Sequence, residues 1–125
     1  PSDFQFKSAM GLSCPDDANC DAKYAGFFNQ VYGAAKRYQY YVRHESQYAY
    51  HAGALNYVRY NPNAGCGGSD VYIENKATAL LYIYTPYQPN EAALKAGAGE
   101  GDACSTYGNR NFAIIYNSMF GNPRD

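Results

Sequence analysis

From residue 22 to about residue 43 the apolar side chains fall at Tyr24, Phe27, Phe28, Val31, Ala35, Tyr38 and Val42. That i, i+3, i+4, i+7 spacing draws one stripe along a helix and predicts the central helix of the chain. Asp21 stands where an N-cap belongs, and Lys36, Arg37 and Arg43 crowd the second half, where cations suit the helix dipole. Upstream, residues 3–11 read as a short helix stopped by Gly11. Residues 44–56 are polar and irregular. Two β-like runs follow at 55–60 and 70–73, separated by Asn-Pro-Asn-Ala-Gly-Cys-Gly-Gly, which predicts a small hairpin. Residues 75–85 place Ala77, Leu80, Leu81 and Tyr84 on one face of a helix ended by Pro86. The Tyr82-Ile83-Tyr84-Thr85 run has strand propensity, so a strand is the alternative there. Asn90 caps a short helix that Gly97 stops, and residues 96–102 form a Gly-rich loop tethered by Cys104. The last helix spans 109–119, with Phe112, Ile115, Tyr116 and Met119 inward and Gly121 as its cap. The expected fold class is mainly α (α+β), with one small hairpin, in a single domain of residues 1–125.

Composition sharpens this picture. The chain has 15 tyrosines and no tryptophan in 125 residues, and many tyrosines neighbour amides, as in Tyr60-Asn61-Pro62-Asn63, Tyr87-Gln88-Pro89-Asn90 and Tyr107-Gly108-Asn109. A tyrosine offers a flat apolar face with a polar tip, and beside amides it suits sugars or polar polymers. The formal net charge is −1 with the signs interspersed, which argues against a nucleic-acid partner. No stretch approaches the roughly 18 apolar residues of a membrane span, so no membrane insertion is expected. The chain opens at Pro1 rather than methionine, and reads as a mature or excised segment whose targeting sequence lay upstream.

Four cysteines allow three pairings. Cys14 and Cys20 flank Pro15, Asp16, Asp17 and Asn19, which supply turn chemistry, so these two read as one bridge. That leaves Cys66 with Cys104. Paired cysteines point to a secreted or cell-surface protein. A zinc site is disfavoured, because no C-x-x-C pair exists and neither His44 nor His51 has ligand spacing to a cysteine. No metal and no cofactor are expected.

The carboxylates are the next candidates, since glycoside hydrolysis uses a protonated carboxylic acid, often with a second carboxylate nearby. Glu45, directly after the central helix, is the candidate catalytic residue, ahead of Asp70, Glu74, Glu91, Glu100 and Asp102, which also suit caps or solvated surface. With both bridges formed no cysteine nucleophile remains, and Ser46 near His44 reads as loop chemistry rather than a triad. Gly97, Gly99 and Gly101 alternate with acidic residues that would repel phosphate, and Glu100 with Asp102 lacks the spacing of a calcium loop. Tyr87, Gln88, Asn90, Tyr107 and Asn109 are the candidate glycan-binding surface, rings stacking on pyranose faces and amides bonding hydroxyls. Tyr82 and Tyr84 are expected to pack, and Asn63 to serve a turn.

Six ordered stretches carry a family resemblance: Met10-Gly11-Leu12-Ser13-Cys14-Pro15-Asp16, Gly26-Phe27-Phe28-Asn29-Gln30-Val31-Tyr32, Tyr60-Asn61-Pro62-Asn63, Asn75-Lys76-Ala77-Thr78-Ala79-Leu80-Leu81-Tyr82, Tyr84-Thr85-Pro86-Tyr87-Gln88-Pro89-Asn90 and Tyr107-Gly108-Asn109-Arg110-Asn111-Phe112. Together they resemble the C-terminal part of a lysozyme-like, lytic-transglycosylase-like domain of secreted or surface cell-wall proteins in actinobacteria and their relatives. The resemblance implies an upstream helix with a Gln-Lys-Glu stretch, whose glutamate holds the general-acid place; this chain does not contain it. It also implies that Met10-Gly11-Leu12 lies near the cleft and that the helix bearing Asn29 and Gln30 lines or braces it. The chain departs from the family's Asp-Trp-Phe-Gly ending with Asn117-Ser118-Met119-Phe120-Gly121. The expected function is binding of peptidoglycan or a related glycan, with β-1,4-glycosidic cleavage if the acid is supplied. The alternative is a non-catalytic adhesion or assembly module with protein partners in a larger surface structure, and a secreted toxin-like effector is a third reading.

Overall fold

The computed structural model describes residues 2–14 and 20–121, and the chain falls into two compact units, Pro1–Glu45 and Ser46–Asp125. It is rich in helix, with one two-stranded antiparallel sheet and two disulfides. The turn chemistry expected of Pro15, Asp16, Asp17 and Asn19 lies outside the described residues.

In the first unit, helix α1 (Asp3–Lys7) opens on a reciprocal cap: the Gln5 amide N–H donates to Ser2 Oγ at 3.2 Å, and the Ser2 N–H donates to Gln5 Oε1 at 2.7 Å. It stops at Lys7, short of the expected residue 11, and Ser8 Oγ donates back to the Phe4 carbonyl. Helix α2 (Phe27–Arg43) begins five residues later than the apolar spacing predicts. Asp21 does cap, but it caps a separate turn: its carboxylate accepts the Lys23 N–H and its carbonyl accepts those of Tyr24 and Ala25. Gly26, at φ +98°, then redirects the chain while its N–H donates to the Lys7 carbonyl.

The buried face of α2 is also displaced from the predicted stripe. Gln30, Ala34 and Tyr41 are buried, whereas Phe27, Phe28, Val31 and Val42 are exposed, Phe28 at 73%. The cause is Gly33. A Cβ there would lie 2.6 Å from Leu12 Cδ2, so the missing side chain admits Leu12 against this side of the helix, with Tyr24 beside it. Leu12 is buried as a result.

In the second unit, β1 (Ala54–Arg59) pairs antiparallel with β2 (Gly68–Ile73), Ala54 opposite Ile73 and Arg59 opposite Gly68. Val58 and Ile73 point to one face and are fully buried with Ala79 and Tyr82, while Tyr50 and Val71 pack around them. Ala79 and Tyr82 come from α3 (Lys76–Tyr84), which settles the helix-or-strand choice: their three-residue spacing puts both on one helical face against the hairpin. Asn75 caps this helix by accepting the Thr78 N–H at 2.9 Å, and Thr85 turns extended before Pro86.

Helix α4 (Glu91–Lys95) starts on Asn90, as expected, and α5 runs from Gly108 to Phe120. Its inward face differs from the sequence expectation. Phe112, Ile115, Tyr116 and Met119 are exposed, Met119 at 68%, and Arg110 is the buried residue. The Arg110 Nη1 donates to the carbonyls of Ala93 and Gly99, both at 2.8 Å, and its guanidinium lies 4.5 Å from the Tyr107 ring centroid. A charge carrying these bonds fixes which side of α5 faces α4, so the apolar stripe is turned outward.

The Cys66–Cys104 bridge joins the hairpin loop to the segment before α5, with Cα atoms 5.5 Å apart, and Thr106 Oγ1 reinforces it by donating to the Tyr60 carbonyl at 2.9 Å. Closing a loop of separation 38 removes unfolded-state entropy worth about 4 kcal/mol. The double variant Cys66→Ala with Cys104→Ala is therefore expected to lose several kcal/mol in urea denaturation; an unchanged midpoint would rule out that contribution.

Candidate functional site

The residues picked from the sequence as a glycan surface are placed mainly as braces. Gln88 Nε2 donates to the carbonyls of Val58 (2.9 Å) and Ser69 (3.2 Å) and to Ser69 Oγ (2.8 Å), tying the chain after α3 across the hairpin. Asn90 Oδ1 accepts the Ala93 N–H and the Ser105 hydroxyl, and its Nδ2 donates to Asp102 at 3.0 Å. The Tyr107 hydroxyl accepts the Gly101 N–H at 2.9 Å, and Asn109 hydrogen-bonds the Tyr82 hydroxyl. Burial pushes that Tyr82 hydroxyl above the usual tyrosine range despite the Asn109 bond. Tyr87 is half-buried, bridging to Arg59 beside the hairpin.

Gln30 is wholly buried and uses every hydrogen-bonding position it has. Its Oε1 accepts the N–H groups of Met10 and Leu12, both at 3.0 Å, and its Nε2 donates to the carbonyls of Leu12 (2.9 Å) and Tyr24 (2.7 Å). It braces Met10-Gly11-Leu12 and the Tyr24 turn against α2. Asn29, its neighbour, is exposed.

What these braces hold up is a groove of about 360 Å³ in the first unit, lined by Lys23, Tyr24, Asn29, Tyr32, Gly33, Lys36, Arg37 and Tyr40. Tyr32, Lys36 and Tyr40 stand four residues apart on α2, and so form one ridge. The ridge runs on at both ends, because Phe28 stacks on Tyr32 with ring centroids 5.5 Å apart and His44 stacks on Tyr40 at 3.9 Å. Lys36 Nζ lies 5.1 Å from the Tyr32 centroid and Lys23 Nζ 5.5 Å from that of Tyr24. Tyr24 also lines the groove, beside Gly33. The groove thus offers flat aromatic faces, an exposed amide and three cations, with no carboxylate in its lining among the described residues.

A second hollow, of about 600 Å³ and more open, is lined in the other unit by Tyr60, Cys66, Asn90, Glu91, Lys95, Asp102 and Cys104 among others. It holds two carboxylates, but neither is arranged as a glycosidase acid. Hydrogen bonds from Asn90 and Ser105 hold the Asp102 carboxyl below the usual carboxylate range, the opposite of what a general acid needs, and Glu91 pairs with Lys95 at 2.8 Å. Glu45 lies at the start of a 3₁₀ turn, Glu45–Gln47, and lines neither hollow. No cluster of three or more His, Cys, Asp or Glu side chains able to hold a metal occurs among the described residues.

Sequence reasoning missed Lys23, Tyr24, Tyr32, Lys36, Arg37 and Tyr40 as a site. The signal was present, since Phe28, Tyr32, Lys36, Tyr40 and His44 recur every four residues, but the more continuously apolar stripe through Phe27, Phe28, Val31, Ala35, Tyr38 and Val42 drew the reading to another face. No protein-family model, curated protein or solved structure matches the chain.

Two outcomes test this account. Gln30→Ala strips partners from four backbone groups and is expected to cost about 2–4 kcal/mol in chemical denaturation; a loss near zero would show that water replaces the amide. For Asp102, whose folded carboxyl titrates lower than in the unfolded chain, the stabilisation is present above the unfolded value and lost as pH falls through the folded one. The Tm difference between the native chain and Asp102→Asn is expected to be largest near neutrality and to vanish under strongly acid conditions, and a pH-independent difference would contradict it.

Proposed function

We propose that this protein is a glycan-binding module acting outside the cell or at its surface, with the Tyr24–Tyr32–Tyr40 groove as its sugar-contacting face. The observation that supports it is the pairing of exposed aromatic faces with an exposed amide in one hollow. Pyranose rings present flat C–H faces that stack on tyrosine, while their hydroxyls require hydrogen-bonding neighbours; Asn29 and the tyrosine hydroxyls supply these. The two disulfides accord with an oxidising compartment. Peptidoglycan is the polymer to try first, on the strength of the lysozyme-like resemblance. Binding rather than cleavage is the reading, since Glu45 lines neither hollow and Asp102 is held ionised.

A second reading, an assembly module, draws support from α5. Phe112, Tyr116 and Phe120 form an aromatic ladder with centroids 6.1 and 5.1 Å apart, and Phe120 is 71% exposed. A face of that kind suits contact with another protein.

Co-sedimentation with purified peptidoglycan sacculi separates these readings. The native chain is expected in the pellet without release of sugar fragments. Tyr32→Ala is expected to weaken retention roughly three- to tenfold, the scale of one lost aromatic stacking contact, while Tyr87→Ala leaves it unchanged. Loss with Tyr87→Ala alone would return the site to the hairpin side, and released fragments would make this an enzyme, with Glu45 the first residue to replace. No binding by any form would favour assembly.

A further inference from the structure

We infer that the groove on α2 selects acidic glycans: sugar polymers whose pyranose rings carry carboxylates, in preference to neutral chains of the same backbone. This rests on the glycan reading above and narrows its ligand class.

The charge of the groove carries the argument. Lys23, Lys36 and Arg37 all contribute to its lining, and among the described residues no aspartate or glutamate does. Helix α2 holds no acidic residue along its 17 positions, although the whole chain has a formal net charge of −1. Three cations in one hollow of a nearly neutral protein are a local concentration of positive potential. No carboxylate pairs with Lys23, Lys36 or Arg37 among the described residues, whereas Lys95 in the other unit is paired with Glu91. Two of the cations instead lie near tyrosine rings, 5.1 and 5.5 Å from the centroids. Those contacts leave ammonium protons free to bond an incoming anion.

Geometry narrows the anion. The groove presents stacking faces and cations together, so its ligand must offer a flat ring and a negative group in the same repeat. Tyr32 and Tyr40 are eight residues apart, about 12 Å along the helix axis. Lys36 stands between them and Arg37 beside it, so a ring lying on either tyrosine brings its substituents to a cation. A carboxylate on a pyranose meets this demand, and the planar fork of Arg37 matches a carboxylate with two parallel hydrogen bonds. A polyol phosphate chain has the charge but no ring face to stack, and a neutral glycan has the face but leaves the cations without partners. Gly33 keeps the groove floor low, since a Cβ at that position would lie 2.6 Å from Leu12 Cδ2 and push that side chain aside.

Titration calorimetry on the full chain tests this with a uronic-acid oligosaccharide, the same oligosaccharide after reduction of its carboxyls to alcohols, and a glycerol-phosphate oligomer. The acidic sugar is expected to bind about fivefold or more tighter than its reduced form at low salt, from two or three exposed ion pairs, with the advantage shrinking as salt rises. Lys36→Ala with Arg37→Ala is expected to erase that advantage, and Tyr32→Ala to weaken both sugars alike. Equal affinity for the acidic and reduced sugars would overturn the inference while leaving the glycan reading intact. Phosphate-oligomer binding as tight as that of the acidic sugar, or an advantage that survives Lys36→Ala with Arg37→Ala, would also overturn it. Absence of binding to both sugars and to sacculi would remove the glycan reading itself.

Discussion

The constraint on which both units depend is the satisfaction of loop backbone by buried side-chain amides. Much of this chain is neither helix nor strand, and every N–H or carbonyl it turns inward needs a partner. In the first unit Gln30 bonds four backbone groups from three residues, and so fixes where residues 10–14 and the Tyr24 turn lie against α2. In the second, Gln88 does the same across β1 and β2, while Asn56 bonds the His51 N–H and carbonyl at the entrance to the hairpin. Removing such an amide exposes several orphaned groups at once, which makes each amide worth more than one ordinary hydrogen bond.

A scaffold of that kind leaves its apolar residues for other uses. The second unit's core is built from Val58, Ile73, Ala79 and Tyr82, and Arg110, a charged residue, holds α5 to α4. Large apolar side chains on α2 and α5 stay at the surface. With so little apolar burial, the disulfides take on a larger part of the stability, which is the usual condition of small extracellular domains. The Cys66–Cys104 bridge and the Thr106–Tyr60 bond clamp the same pair of loops.

The groove on α2 follows from the same arrangement. Because Gln30, Gly33 and Ala34 face inward, the neighbouring row of Phe28, Tyr32, Lys36, Tyr40 and His44 is turned outward as an unbroken ridge. Gly33 leaves room for Leu12 beneath it, and Tyr24 lines the same groove. The position of the groove is thus set by a buried amide, Gln30, together with the glycine at position 33.

Local chemistry was legible in the sequence. Asn90 caps its helix, Pro86 ends α3, the glycine-rich 61–68 stretch turns the hairpin, and the cysteines pair 14 with 20 and 66 with 104, because each of these acts within a few residues or by elimination. Which face of a helix is buried was not legible. Periodicity identifies an apolar stripe on α2 and on α5, but the packing side was chosen by Gln30 with Gly33 and by Arg110, through partners 11 to 20 residues away in the chain. The tyrosine-and-amide clusters were ambiguous for the same reason: an amide beside a tyrosine looks the same in sequence whether it faces a sugar or a backbone carbonyl. The sequence by itself determined which segments are helix or strand, the Asn90 cap and the bridges; only the tertiary structure decided where α1 and α2 begin and end and which side chains face inward, since that depends on hydrogen bonds made between segments distant along the chain.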